Sequence, residues 1–148
     1  MLNEDYKELL QLLNENKVSY LVVGAYAMAV LGYVRATGDI DFFVDTSSEN
    51  SRRLYCALKS FGAPLTDINE QTFCEKGIVY QIGVAPRRID IITEIDGVRF
   101  AQGYAARNEV LIESLTVPFL SKELLIQNKK STGRAKDAVD IEKLEGLK

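Results

Sequence analysis

The chain has 148 residues, of which 47% are hydrophobic and 26% charged, and it carries a net charge of −3 at pH 7. This size favours one domain over residues 1–148, and no apolar run approaches the roughly 18 residues of a membrane span. The acidic balance argues against strong bulk nucleic-acid binding, and the absence of histidine excludes histidine-based triads and zinc sites. Because the first residues lack the basic and apolar regions of a signal peptide, we expect a cytoplasmic protein with no membrane partner.

The first half of the chain predicts alternating helices and strands. Asn3 can cap a helix with apolar residues at helical spacing, and short runs of β-branched and aromatic residues predict strands. The predicted elements are a helix from Asn3 to Leu13, a strand over 18–23, a helix over 25–31, a strand over 39–44 and a helix that follows a capping box at 46–49 and stops at Gly62. Cys56 and Cys74 lack C-x-x-C spacing, so we expect two reduced thiols, with Cys56 in the core.

The second half predicts a sheet followed by helices. Strands are expected over 78–84 and 88–93, a hairpin turn at 94–97 into a strand over 98–101, and a last strand over 110–117. After Pro118 the pattern is helical, with a break at 131–133. The mixture predicts an α/β (α+β) fold, in which a mixed β-sheet is flanked by helices and followed by a C-terminal helical pair.

Two aspartates in the strand over 39–44 are the first candidates for chemistry. Asp39 and Asp41 are two residues apart, so both side chains leave the same face of a strand, about 7 Å apart at their backbones. Two converging carboxylates repel each other unless a multivalent cation neutralises them, and Mg²⁺ is the usual oxygen-liganded ion beside phosphates. Asp90 repeats the pattern between two isoleucines, and it can reach the pair only from an adjacent strand. The alternative is that each is a solvent-facing or turn aspartate.

A glycine upstream adds a candidate for phosphate binding. Gly24 lies at a predicted junction between a strand and a helix, where backbone N–H groups can bind a phosphate. The alternative is a tight turn that needs no side chain.

These segments together resemble a known superfamily. Gly24, the spacing to Gly38, the Asp39-Ile-Asp41 pair and the later Asp90 strand are similar to the signature of the nucleotidyltransferase superfamily, which has a polymerase beta-like fold. The segment from Tyr33 to Asp41 resembles the minimal AbiEii-like nucleotidyltransferases, often found in toxin–antitoxin and phage-defence operons. The segment from Leu125 to Asp140 resembles their final helical motif.

The resemblance implies roles for the acidic residues. Asp39 and Asp41 would hold the metal that carries the nucleotide's phosphates, and Asp90 would complete the site of a second Mg²⁺ or Mn²⁺ and orient or deprotonate an acceptor hydroxyl. The substrate would be a nucleoside triphosphate (NTP), and the product a nucleoside monophosphate ester on the acceptor.

The resemblance also implies nucleotide-binding residues. Lys129 matches the family's lysine and is expected to meet the triphosphate, while Gly24 and Ala25 would offer backbone N–H groups. Arg35 and Thr37 are expected on a loop near the site. Family members usually carry Gly or Ser at the position of Ala25, so a hydroxyl that could bind the triphosphate is missing here.

Two functions from different classes therefore stand. The first is a metal-dependent enzyme that transfers a nucleotide from an NTP to a hydroxyl of a protein, RNA or small molecule. The second is an inactive nucleotidyltransferase-fold protein that serves as a binding or regulatory subunit, with a cognate antitoxin or other protein as its partner. All three aspartates favour the enzyme, whereas Ala25 and the lack of a substrate domain favour the alternative.

Overall fold

The computed structural model of the protein describes residues 2–33 and 38–146. Within them, helices and strands alternate along most of the chain. The elements are α1 (Glu4–Glu15), β1 (Tyr20–Val23), α2 (Ala25–Val30), β2 (Ile40–Val44), α3 (Ser48–Phe61), β3 (Val79–Ile82), β4 (Ile89–Ile92), α4 (Phe100–Ala105), β5 (Asn108–Ile112), β6 (Leu115–Phe119), α5 (Lys122–Thr132) and α6 (Ala135–Glu145). The predicted α/β fold with a C-terminal helical pair is confirmed.

The strands form one mixed sheet in the order β3-β4-β2-β1-β6-β5. Strand β2 runs parallel to β4 and antiparallel to β1, while β1 is parallel to β6. The predicted mixed sheet is thereby confirmed. Strand β2 is central, and its neighbour β4 comes from a segment almost fifty residues later in the chain.

The two faces of the sheet are covered by different helices. Val22 and Ile40 line a cavity together with Leu10 of α1, whereas the ring of Phe43 packs edge-on against Phe100 of α4, with their centroids 5.3 Å apart. Because side chains alternate along a strand, Asp41 lies on the α4 face of β2. Both faces of β1 and β2 are largely buried, which explains their continuous apolar sequences.

Polar caps and glycines define several helix ends. The side chains of Asn3, Ser47 and Ser121 each accept a backbone N–H in the first turn of their helices. Gly62 and Gly133 end α3 and α5 in the left-handed conformation. The predicted Asn3 cap and Gly62 stop are confirmed, but the predicted capping box at 46–49 was wrong by one residue because Ser47 is the cap.

Two predicted strands were wrong. Residues 98–101 do not form one, because Val98 makes only an isolated bridge to Ile95 and α4 begins at Phe100, which packs on the sheet. The predicted strand over 110–117 is instead the hairpin of β5 and β6, which reverses at Glu113 and Ser114 with φ of 48° and 74°. Neither turn residue is glycine, so the usual signal of a two-residue hairpin was absent.

Both cysteines are free, as predicted. The predicted burial of Cys56 was wrong: it lies on the exposed side of α3, while Leu54, Ala57 and Leu58 form the buried side. No helix among the described residues is long and apolar enough to cross a membrane.

Candidate functional site

The pairing of β2 with β4 brings the predicted carboxylates together. Asp41 and Asp90 are direct partners in the parallel register, and Asp39 immediately precedes β2. Asp90 is only 8% exposed. The adjacent strand that Asp90 needs in order to reach the pair is therefore present, and the solvent-facing alternative does not apply to Asp90.

Gly24 closes one side of this cluster. Its φ is +70°, and a Cβ atom built on it would lie 2.4 Å from Oδ2 of Asp41. Both facts require glycine, since a larger residue would be strained and would displace the carboxylate. Ala25 begins α2, which has only six residues, so the helix dipole contributes little to anion binding here.

Arg88 supplies a positive charge at the other side of the cluster. Its Nε and Nη2 donate to the two oxygens of Asp90 at 2.8 and 3.1 Å. Nη2 also lies 3.6 Å from Oδ2 of Asp39, and the backbone N–H of Arg88 donates to Oδ1 of Asp39 at 3.0 Å. One guanidinium thus joins two of the three carboxylates.

Asp41 is held in a different electrostatic state. Burial, followed by the charge of Asp90 and a hydrogen bond shared with it, raises the pKa of Asp41 to about 7, although Arg88 acts in the opposite direction. In the absence of another cation, Asp41 is therefore close to half protonated at neutral pH.

Tyr6 braces the backbone on which the acids stand. Its hydroxyl donates to the carbonyl oxygen of Gly38 and lies 3.1 Å from the carbonyl oxygen of Arg88. These carbonyls belong to the residues that lead into β2 and β4. Tyr6 is fully buried, and burial raises the pKa of its hydroxyl to about 12, so it remains a neutral donor.

The donor chemistry of the cluster fits a divalent cation. The three carboxylates at the adjoining starts of β2 and β4 offer the oxygen ligands that Mg²⁺ and Mn²⁺ prefer. Yet within residues 2–33 and 38–146 no three acidic, cysteine or histidine side chains are already arranged to hold a metal ion. Both oxygens of Asp90 face the guanidinium of Arg88. Asp39, Asp41 and Asp90 are the residues that would hold the metal.

Lys129 lies in a second charged cluster, between α5 and α6. Its ammonium is 3.0 Å from Asp140 and 3.4 Å from Asp137, and the residue is 8% exposed. Asp137 also accepts hydrogen bonds from Thr132 and Arg134 at 2.5 and 2.8 Å. For Lys129 to bind a triphosphate as predicted, these ion pairs would have to open.

The remaining predicted residues stand as follows. Arg35 and Thr37 lie outside the described residues. Sequence reasoning missed Arg88 and Tyr6 as site residues. The signal for Arg88 was its position two residues before Asp90 on the same strand face, whereas Tyr6 looked like any apolar residue of α1.

A mixed sheet with two aspartates at one strand and a third on its parallel neighbour defines the class of nucleotidyltransferases. Three solved structures share this fold. A candidate nucleotidyltransferase from Thermotoga maritima has a TM-score of 0.67 and 16% identity, over 100% of this chain and 97% of the other. The lincosamide antibiotic adenylyltransferase LnuA, bound to lincomycin, has a TM-score of 0.63 and 17% identity, over 99% of both chains. ANT(2")-Ia, in complex with adenylyl-2"-tobramycin, has a TM-score of 0.60 and 18% identity, over 94% of this chain and 84% of the other.

The chain belongs to the family described as nucleotidyltransferase of unknown function (DUF6036), whose model matches residues 1–146. No curated protein sequence matches the chain. The predicted membership of the nucleotidyltransferase superfamily is confirmed, while the finer resemblance to AbiEii-like proteins remains a prediction.

Proposed function

We propose that the protein transfers a nucleoside monophosphate from an NTP to a hydroxyl acceptor, in a reaction that requires a divalent cation held by Asp39, Asp41 and Asp90. The observation that carries this proposal is the register of β2 and β4, which sets Asp41 directly beside Asp90 with Asp39 at the strand's start. Three carboxylates beside one guanidinium carry negative charge that is not neutralised. In a partly buried site this charge lowers the stability of the fold, unless a ligand binds there.

Each side chain has a part in this reaction. The acceptor oxygen bonds to the α-phosphorus, the bond from that phosphorus to the β-phosphate oxygen breaks, and pyrophosphate leaves. Asp90 orients the acceptor hydroxyl and takes its proton, while Asp39 and Asp41 fix the position of the nucleotide's phosphates. Bound Mg²⁺ or Mn²⁺, as one or two ions, would neutralise phosphate charge and lower the pKa of the acceptor hydroxyl. Gly24 leaves room for the carboxylate of Asp41, since a Cβ atom there would lie 2.4 Å from its Oδ2.

The structural neighbours suggest which acceptors should be tested first. One neighbour is an antibiotic adenylyltransferase with lincomycin bound, and another holds adenylyl-2"-tobramycin. Small-molecule hydroxyls are therefore the first acceptors to examine, followed by protein and RNA. A toxin–antitoxin or phage-defence setting remains part of the proposal for the macromolecular acceptors.

A second candidate is a binding or regulatory subunit without turnover. The contact that favours it is the bidentate pair between Arg88 and Asp90, in which both oxygens of the proposed base accept hydrogen bonds from the guanidinium. In that function the cluster would hold a nucleotide or brace a partner-binding surface, such as one for a cognate antitoxin, without transferring a phosphate.

Nucleotide transfer separates the two functions. The protein is incubated with Mg²⁺, each labelled NTP, and either aminoglycoside and lincosamide acceptors or a cell lysate, beside the variants Asp90→Asn and Asp96→Asn. We expect labelled product from the parent and from Asp96→Asn, whose side chain is exposed, and a loss of about 10³-fold or more in Asp90→Asn. If the parent binds an NTP with metal but labels nothing, the binding subunit replaces the enzyme.

A further inference from the structure

We propose that Arg88 is an internal counter-cation that competes with a divalent cation for Asp90 and so weakens the binding of metal by the carboxylate cluster. The inference rests on the proposed function, since it takes these carboxylates to be the metal ligands. It adds a residue outside the three aspartates that sets how tightly the site holds metal.

The contacts of Arg88 cover the oxygens that a metal would need. Two guanidinium nitrogens engage both oxygens of Asp90, at 2.8 and 3.1 Å. The same side chain reaches within 3.6 Å of Asp39. A hard cation requires direct contacts of about 2.0–2.1 Å to carboxylate oxygens, and the guanidinium already takes one lone pair on each oxygen of Asp90, so the two cations compete for this carboxylate.

The charges of the cluster favour exchange over permanent pairing. Three carboxylates face one guanidinium, so the cluster carries more negative charge than Arg88 can balance. A divalent ion brings twice the charge of Arg88 and is therefore the stronger partner for the three acids together. A purely structural ion pair would have balanced charges and would gain nothing from a further cation.

The geometry gives Arg88 a way out of the cluster. Its side chain is 33% exposed, whereas that of Asp90 is 12% exposed, so the guanidinium can turn toward solvent while the carboxylate stays in place. The backbone N–H of Arg88 still holds Asp39 at 3.0 Å after such a rotation. The planar guanidinium is then free beside the site to pair with the phosphates of an incoming NTP.

Metal affinity tests the inference directly. Mn²⁺ binding is measured by calorimetry at pH 8 for the parent, for Arg88→Gln and for the matched control Arg87→Gln, whose side chain is exposed. We expect Arg88→Gln to bind Mn²⁺ about tenfold more tightly than the parent and Arg87→Gln to stay within about twofold, because only the first removes a competing cation. Unchanged or weaker binding in Arg88→Gln would show a structural pair and overturn the inference.

The same titration separates failure of this inference from failure of the proposed function. Equal Mn²⁺ affinity in parent and Arg88→Gln rejects the counter-cation and leaves the metal site standing. Absence of binding in every protein rejects both.

A measurement on the parent protein keeps the test valid if Arg88→Gln does not fold. The Nε–H resonance of Arg88 is assigned in the ¹⁵N spectrum by its loss in Arg88→Lys. Saturation with Mg²⁺ should shift this resonance to the position of a solvated guanidinium. A resonance that stays in place while the Asp39 and Asp41 amides shift would overturn the inference.

Discussion

Two clusters in this protein pair buried acids with cations, and they differ in their balance of charge. The first sets Asp39, Asp41 and Asp90 against Arg88 alone. The second contains Lys129 and Arg134 together with Asp137 and Asp140. The first cluster has three carboxylates and one cation, so negative charge is in excess, whereas the second has two carboxylates and two cations and is balanced.

The pKa values of the two clusters move in opposite directions. In the first, burial and the neighbouring Asp90 raise the pKa of Asp41 to about 7. In the second, burial alone would raise the pKa of Asp137, but hydrogen bonds from Thr132 and Arg134 and the charge of Lys129 outweigh it and lower the pKa. The raised pKa of Asp41 indicates an acid that lacks a neutralising cation, whereas the lowered pKa of Asp137 indicates an acid that already has one. This contrast supports the proposal that the first cluster binds a ligand, while the second holds α5 against α6.

The largest expected effect concerns the balanced cluster. Lys129→Met should lower the free energy of unfolding by about 3 kcal/mol, because Asp137 and Asp140 would lose the cation between them in a site that water barely reaches. Lys130→Met is the control, since its pair with Glu145 is more than half exposed, and it should cost less than about 1 kcal/mol. Urea unfolding measures both, and equal losses would contradict the structural role of Lys129.

An intermediate effect should come from adding one methyl group beside the unbalanced cluster. Gly24→Ala and Gly133→Ala both place a side chain at positive φ, which costs about 1 kcal/mol in the left-handed conformation of Gly133 and about 1–3 kcal/mol at Gly24, whose ψ is −146°. Only at Gly24 would the new Cβ also meet Asp41; nothing lies within 4 Å of the corresponding position at Gly133.

The two alanine variants should therefore differ in metal binding. Calorimetry should show Mn²⁺ affinity at least about tenfold weaker in Gly24→Ala, where a metal ligand is displaced, and unchanged in Gly133→Ala. Similar Mn²⁺ affinities in the two variants would mean that the close approach of Gly24 to Asp41 has no part in the site.

The smallest effect is the pH dependence of stability in the metal-free protein. The folded state holds a proton on Asp41 up to a pKa of about 7, whereas the unfolded chain releases it near the ordinary aspartate pKa of 3.8. More protons bound in the folded state mean that stability is present at low pH and is lost as pH rises through about 7. With chelator present, Asp41→Asn should therefore melt several degrees higher than the parent at pH 8, and the gain should shrink at pH 5. A gain independent of pH would refute the raised pKa as its cause.

Much of the sheet could be predicted because its strands carry strong local patterns. Runs of β-branched and aromatic residues marked β1, β2 and β4, and an aspartate interrupting an apolar run marked Asp41 and Asp90. The hairpin at Glu113 and Ser114 could not be predicted, because it adopts positive φ without glycine. The helix α4 was missed because its packing depends on the contact between Phe100 and Phe43. Phe43 is distant in sequence, so the local pattern over 98–101 gives no sign of this contact.

The residues of the candidate site show the same contrast between local patterns, which could be predicted, and long-range contacts, which could not. The three aspartates could be predicted from spacing, since alternation along a strand determines which side chains share a face. The partners of Lys129 and Arg88 could not, because they follow from how α6 packs on α5 and from which rotamer a long side chain adopts.

The hydroxyl of Tyr6 connects the first helix to the ends of β2 and β4 that carry the three carboxylates. It ties α1 to the carbonyl groups of Gly38 and Arg88, which stand at the entrances of the two strands that carry the acids. When α1 detaches from the sheet, even briefly, both strand entrances lose their shared anchor in the same event. We therefore expect opening of the N-terminal helix to loosen the carboxylate cluster, although Gly38 and Arg88 lie more than thirty and eighty positions from Tyr6 in the chain.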